Sequence, residues 1–377
     1  MKAIDISGMS AVTCLGNDLS DIWQQVCEGS SGLRPITLFD TSKSRSSIGG
    51  EVSSEPVAQG YDRMLAFSVQ AIQSAMINAN IDCDYVHSVR AALIIGTSLG
   101  HIFDNESGPV VLDDFVEELK IKLGLNIAVL TVSTACSSGT DAIANGGDFI
   151  EFLNYDLVIC GGVDVLDLYK LMGHSSLHTL SPNKCKPFDQ HNDGTSLGEG
   201  AAFIILENRE ALKERGGRRI AELVGRSSTT DTKSVTSPDE SGGGAIRAIS
   251  QALGQSKSGP ESVSYVNAHG SATPVNDAME ARVYQELFQT RAIPISSTKA
   301  AFGHTLGATG AIEAVIAIFA LVHEQAPPTA NTTKLHEDWS AANVVFSNQP
   351  QPIEKPETAV TVTYGFGGAN ACLVFLK

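Results

Sequence analysis

Residues 131–140 read Thr-Val-Ser-Thr-Ala-Cys-Ser-Ser-Gly-Thr. They set one thiol, Cys136, at a strand-to-helix junction. The apolar run Ile127 to Val132 precedes it, and the small-residue helical stretch Ser137 to Ile150 follows it. A thiol there meets the positive end of a helix and its free backbone N–H groups, so the expectation is a lowered pKa and a nucleophilic thiolate. The other cysteines (Cys14, Cys27, Cys83, Cys160, Cys185 and Cys372) lack this setting and show no CxxC spacing. They read as reduced, packed residues of a cytoplasmic protein.

A nucleophile needs partners, and four further segments can supply them. Val266 to Pro274 places His269 just past a strand end. Ser296 to His304 places Lys299 and His304 in a loop before an apolar helix. Tyr364 to Asn370 is a glycine-dense turn, and Pro187 to Gly200 is a loop entering a strand. Taken singly these are weak signals. A lone loop histidine is usually an ordinary hydrogen-bonded residue, and His87, His101, His174, His178, His191, His323 and His336 are read that way. A GxGG turn serves many hairpins, and a lone lysine is a solvated charge. Jointly they carry more, because strand carboxyl ends line the ligand crevice of an α/β sheet. One cysteine, two histidines and one lysine can therefore share a pocket. A zinc site fails on spacing: these residues come from distant loops with no CxxC or HxxxH pair.

The elements that must position them alternate in type. Strands are expected at Ala3 to Ser7, Ala91 to Gly96, Asn126 to Val132, Leu157 to Gly161, Ala202 to Glu207, Val263 to Ala268, Ile293 to Ser296, Ala359 to Thr363 and Ala371 to Phe375. Helices are expected at Asp18 to Gly29, Phe67 to Ala79, Val111 to Leu123, Thr140 to Phe152, Gly244 to Leu253, Asn276 to Phe288 and Ala308 to His323. This pattern means layered α/β structure. The strands fall into two groups split near Asn208 to Gly217, which suggests a duplicated architecture. Ser227 to Gly244 reads as loop. With 377 residues and 42% hydrophobic content the chain has ample material for a core. Its net charge of −16 argues against nucleic acid as a partner. The most apolar window, Ala314 to Val322, is too short for a bilayer and reads as a buried helix.

The Thr-Ala-Cys-Ser-Ser turn, His-Gly-Ser-Ala-Thr-Pro, Lys-x-x-x-Gly-His and Gly-Phe-Gly-Gly occur in order. In this the chain resembles the β-ketoacyl-acyl-carrier-protein synthases, the decarboxylating condensing enzymes of the thiolase superfamily, over nearly its whole length. The resemblance implies a duplicated thiolase-like α/β fold, layered α-β-α-β-α with two mixed five-stranded sheets. It implies a nucleophile half over 1–207 and a histidine half over 208–377. It implies that Cys136 accepts an acyl group from a carrier thioester, and that His269 and His304 bind the malonyl thioester and promote loss of CO₂. Lys299, paired with Glu313, orders the electrostatics beside them. The N–H groups of Cys136 and Phe366 form an oxyanion hole, with Phe366 also a gate. Ser271 and Thr273 bind the pantetheine arm, beside the Gly367–Gly368 turn. No metal or organic cofactor is implied, since the substrates ride on the phosphopantetheine of acyl carrier protein. The implied assembly is a homodimer, or a heterodimer with a chain-length-factor-like subunit, in the cytoplasm and with no membrane span.

Several features depart from that family. The N-terminal half is short after Asp40, and Thr195 stands where an aromatic is usual. A compact variant of this kind resembles ketosynthases of specialised pathways such as aryl polyene assembly. Thiolases carry a second C-terminal cysteine, but Cys372 falls in the alternating run of a final strand and reads as packing. Two other classes stay open: a non-catalytic chain-length partner, which Cys136 disfavours, and a thiolase or acyltransferase, which Lys299 and His304 disfavour. Arg34, Lys43 and Arg45, or Lys120 and Lys122, are candidate docking cations for an acidic carrier.

Overall fold

The computed structural model describes residues 2–53, 60–98, 103–105, 108–110, 112–256, 259–289 and 291–377. Ten strands carry the architecture. Five belong to the first half: β1 (Ile4–Val12), β2 (Ala91–Gly96), β3 (Ala128–Val132), β4 (Leu157–Asp164) and β5 (Gly200–Asn208). Five belong to the second: β6 (Ala221–Thr230), β7 (Val263–Asn267), β8 (Pro294–Ser296), β9 (Thr358–Gly365) and β10 (Ala369–Leu376).

Spatial order in the first sheet is β3-β2-β4-β5-β1, and in the second β8-β7-β9-β10-β6. In both, the first three strands run parallel and the last two pairings are antiparallel. The two halves thus repeat one topology strand for strand, as the resemblance implied. A two-residue strand, Asn343–Val344, extends the second sheet beside β8. The sheets join at a narrow seam between β1 and β6, through the pairs Asp5↔Glu222 and Ile6↔Ala221.

Six helices repeat in the same way. In the first half α1 (Gly60–Asn78) follows β1, α2 (Leu112–Leu123) precedes β3, and α3 (Ser138–Leu153) follows β3. In the second half α4 (Gly243–Gln255), α5 (Pro274–Phe288) and α6 (Thr309–His323) take the corresponding places. Helices α3 and α6 contact strands of both sheets, so they form the middle layer, while α1 and α4 pack on the outer faces. This is the expected α-β-α-β-α stack. A middle helix has no solvent face, which is why α6 is apolar nearly all round. The stretch Leu306–His323 has the length and composition of a membrane span, but 83% of it is buried within the protein. Each fully buried Ile, Val or Leu there stabilises by about 1.5–3 kcal/mol.

Small residues let the middle helices touch. A Cβ on Gly139 would lie 2.7 Å from the Gly307 carbonyl oxygen, and one on Gly310 would lie 1.7 Å from Thr140 Oγ1. Close approach brings the N-termini of α3 and α6 together, and the chemistry sits there.

Of the elements not expected from sequence, which include the helices Cys83–Ser88, Arg209–Glu214 and Lys299–Phe302, two show why. The first is β6, whose second half is polar. Its buried Arg226 is satisfied by Glu151 at 2.6 Å and Asp148 at 2.7 Å on α3, and Ser227 Oγ donates to Gln251 at 2.9 Å. Polar residues satisfied only by distant partners hide a strand from any hydrophobic pattern. The second is the helix Leu168–Ser176, whose only fully buried residue is Leu171.

Candidate active site

The turn before α3 is bolted by one carboxylate. Thr134 Oγ1 (2.6 Å) and Ser137 Oγ (2.8 Å) both donate to Asp141 Oδ2. Ala135 adopts a left-handed φ of 55°, an unfavourable region for a residue with a Cβ. The turn Ala135–Ser137 that follows holds Cys136, which is 6% exposed. The second half repeats the device: Leu306 has φ 48°, and the turn Leu306–Ala308 leads into α6. There Asp164 Oδ2 accepts the Gly307 N–H at 2.8 Å.

His304 is held by the loop ahead of β5. Its N–H donates to the Ser196 carbonyl at 2.7 Å and its carbonyl accepts the Gly198 N–H at 2.9 Å. Its ring is oriented as well. Nδ1 accepts the Leu306 N–H at 3.2 Å and lies 3.0 Å from Thr309 Oγ1. A neutral imidazole that accepts at Nδ1 carries its hydrogen on Nε2. His304 is therefore an N–H donor towards the cavity.

His269 follows β7. Its N–H donates to Glu280 Oε1 at 2.9 Å, and the next N–H, of Gly270, donates to Oε2 at 2.6 Å. Its carbonyl accepts from Lys299 Nζ at 2.5 Å. Its ring lacks the kind of partner that orients His304. Nδ1 is buried and has no hydrogen-bond partner among the described residues, so burial and the Glu280 anchor, not a bond at Nδ1, fix this ring. The two imidazoles meet edge to face with centroids 5.3 Å apart. Glu280 was not visible as a site residue from sequence, because it lies a full helical turn into α5.

Lys299 is buried, with Nζ 2.6 Å from Glu313 Oε1, the pairing expected. Its charge and, foremost, burial push both imidazoles well below the usual histidine range, so both are neutral at neutral pH. Burial pushes the Glu313 carboxyl up to about 7, against the opposing pull of Lys299.

The thiol departs from expectation. Burial pushes the Cys136 pKa up to about 11, although Lys299 and the N–H groups of Phe366 and Cys136 act in the opposite direction. A helix N-terminus supplies about 0.3–2 kcal/mol, at most about 1.5 pK units, far short of bringing this sulfur below neutrality. Cys136 rests as a thiol, and Cys185, also pushed up to about 11 by burial, is no more acidic. What separates Cys136 is access. It lines a cavity of about 280 Å³ with His269, His304, Tyr364, Gly365 and Phe366. Cys372 is fully buried in the core, as read.

The remaining expected residues surround the same cavity. Ser271 and Thr273 line it, their hydroxyls 2.8 Å apart. The Phe366 N–H faces the Cys136 sulfur. Gly367 (φ 81°) and Gly368 (φ 79°) let the chain turn directly after Phe366, and a Cβ on Gly368 would lie 2.3 Å from the Asp231 carbonyl. Thr195 is buried on the wall, and its Oγ1 has no partner among the described residues. Two histidines set aside in the sequence, His174 and His178, also line the cavity. Of the candidate docking cations, Arg45 lies beside the rim, with Nη1 3.3 Å from His178 Nδ1. Lys120 and Lys122 are paired instead with Glu117 and Glu118 on their own helix. Among the described residues no three His, Cys, Asp or Glu side chains gather as metal ligands.

A cysteine on one middle helix, facing two neutral imidazoles beside a buried lysine in a duplicated five-layer fold, defines a thiolase-type condensing site. Family comparison agrees. The chain matches the N-terminal domain of beta-ketoacyl synthase over residues 1–211 and the C-terminal domain over 220–333, and it belongs to the beta-ketoacyl synthase family. It is 31% identical to 3-oxoacyl-acyl-carrier-protein synthase 2 of Synechocystis sp., covering 100% of this chain and 98% of that protein. It is 30% identical to the enzyme of the same name from Coxiella burnetii, at 100% and 99% coverage. Among solved structures, a beta-ketoacyl synthase from Burkholderia phymatum superposes with a TM-score of 0.90 at 27% identity, covering 100% of both chains. A ketosynthase in complex with its chain length factor from Xenorhabdus doucetiae does so at 0.84 and 28%, covering 100% and 98%.

Proposed function

We propose that this chain catalyses the decarboxylative Claisen condensation of an acyl group, carried on Cys136, with malonyl-acyl-carrier protein to give a β-ketoacyl-carrier protein. The observation that carries the proposal is one cavity where a single thiol, Cys136, meets the neutral imidazoles of His269 and His304. In the first step the Cys136 sulfur attacks the acyl thioester carbonyl. Because the thiol rests protonated, its proton leaves as the carbon–sulfur bond forms and ends on the departing carrier thiol. In the second step malonyl thioester loses CO₂ and enolate charge builds on the thioester oxygen. The N–H groups of His304 and His269 stabilise it, on a scale of about 3 kcal/mol per donor. The enolate carbon then attacks the acyl-Cys136 carbonyl, whose oxyanion is held by the Cys136 and Phe366 N–H groups, and the sulfur leaves.

The other residues fill supporting roles in this proposal. Burial, helped by Lys299 held by Glu313, keeps both imidazoles uncharged, which leaves His304 Nδ1 free to accept the Leu306 N–H that orients its ring. Ser271 and Thr273 hydrogen-bond the pantetheine arm, with the Gly367–Gly368 turn beside them. Loss of CO₂ drives carbon–carbon bond formation, so the scheme calls on no organic cofactor or metal. The division into a nucleophile half (1–207) and a histidine half (208–377) belongs to the same reading, supported by the repeated strand order. We place the enzyme in the cytoplasm, consistent with its free cysteines, and in specialised chain assembly of the aryl polyene kind. Intact mass of carrier proteins co-purified from the native host tests that pathway.

The deciding experiment is Cys136→Gln. Malonyl-carrier decarboxylation should persist or rise while condensation disappears, since the imidazoles act without the sulfur. Loss of both activities together in a folded variant would remove the histidine-driven step. A chain-length partner without chemistry of its own would show neither activity before substitution.

A further inference from the structure

The helix Leu168–Ser176 carries His174 in its last turn, and nothing in the scheme above uses it. Its imidazole lines the cavity with Cys136 and His304. It stacks on the Phe366 ring, with centroids 5.5 Å apart and planes 20° from parallel. The stack is fixed from the histidine side: Nδ1 lies 2.9 Å from Thr179 Oγ1, and the Thr179 N–H donates to the His174 carbonyl at 3.1 Å. Burial keeps the ring uncharged, pushing it down to about 4. On the other side, Phe366 is only half-buried and is followed by two left-handed glycines, the first with open space where a Cβ would stand. The imidazole is anchored, while the Phe366 ring stands on a turn whose backbone is held at Gly367 by the Val235 carbonyl (2.7 Å) and at Gly368 by the Asp231 N–H (2.7 Å), so its position is set by side-chain torsion and by the stack.

We propose that His174 is a positioning residue: its ring face holds the Phe366 ring across the cavity and so determines which acyl chains reach the Cys136 sulfur. An aromatic stack of this kind biases a two-position equilibrium by about two- to tenfold. The ring face is the acting part, because the two planes lie 20° from parallel and Nδ1 is already engaged with Thr179. The inference rests on Cys136 being the acyl acceptor, but it can be read on the thiol directly, without condensation.

The test compares the intact protein with its His174→Ala, His174→Leu and His174→Phe variants. Alkylation of Cys136 is followed by peptide mass mapping with two probes, iodoacetamide and N-dodecyl iodoacetamide, and the ratio of the long-chain to the short-chain rate is taken. His174→Ala and His174→Leu should raise the ratio about two- to tenfold, and His174→Phe should keep the wild-type value. An unchanged ratio in the Ala and Leu variants overturns the proposal. So does a Phe variant that behaves like Ala, which would assign the effect to the imidazole nitrogens. Should the Ala variant fail to fold, the Leu–Phe pair decides on the same ratio. A wild-type protein that fails to condense yet shows these shifts would sink the condensing reading and leave the His174 assignment standing.

Discussion

At the scale of single residues the decisive contest is between burial and a helix end. The sequence singles out Cys136 by its junction and the chain places it on the cavity wall, but a helix N-terminus does not ionise a thiol that is enclosed this far. Desolvation wins, and the sulfur rests as a thiol. This gives a pH signature with a definite sign. The reactive thiolate fraction should grow about tenfold per pH unit between pH 7 and 10, because the folded-state pKa lies near 11. Iodoacetamide rates at Cys136 should follow that slope, and a plateau near pH 7 would restore the preformed thiolate. His269, His304, Lys299 and Phe366 were legible because local motifs mark them. Glu280 and His174 were not, because each acts on a partner that the folded chain brings near; Asp141 was not, because a carboxylate in the first turn of a helix is an ordinary helix-start residue.

At the scale of elements, α3 and α6 do the positioning. Their sequence signature was the run of small residues after Cys136 and the apolar stretch after His304, and both helices were legible. Their contact was not, since a glycine's use depends on what it faces. Gly310→Ala would drive a methyl group into Thr140, and overpacking of this kind costs about 1–3 kcal/mol. Denaturant unfolding should show that loss, together with reduced condensation as the two N-termini part. Gly254→Ala, near the end of α4 with nothing within 4 Å of its would-be Cβ, should be neutral or stabilising by up to about 1 kcal/mol. Equal costs at the two positions would remove the close-contact argument. Strand β6 escaped the sequence reading for the opposite reason: its stabilising partners are charges and amides on α3 and α4, and no local period records them.

At the scale of the molecule, the first sheet ends in a strand paired on one side and, among the described residues, open on the other. β3 lies at its edge, and its Leu130 is 36% exposed. An edge strand with exposed apolar residues is a ready template for pairing with another chain. A second copy of the chain that pairs with this one would find its template at this edge. Leu130→Glu should shift the protein towards monomer in analytical ultracentrifugation, while an unaltered dimer would move the interface elsewhere.

The repeated topology has one more implication. The left-handed residue and short turn that present Cys136 recur at Leu306–Ala308, where the position matching the nucleophile is Gly307. Any side chain there would collide with the backbone at Ser98, 2.3 Å from the would-be Cβ. The two turns are alike in backbone yet not interchangeable: one seat has room for a sulfur, and the other is filled by the chain itself.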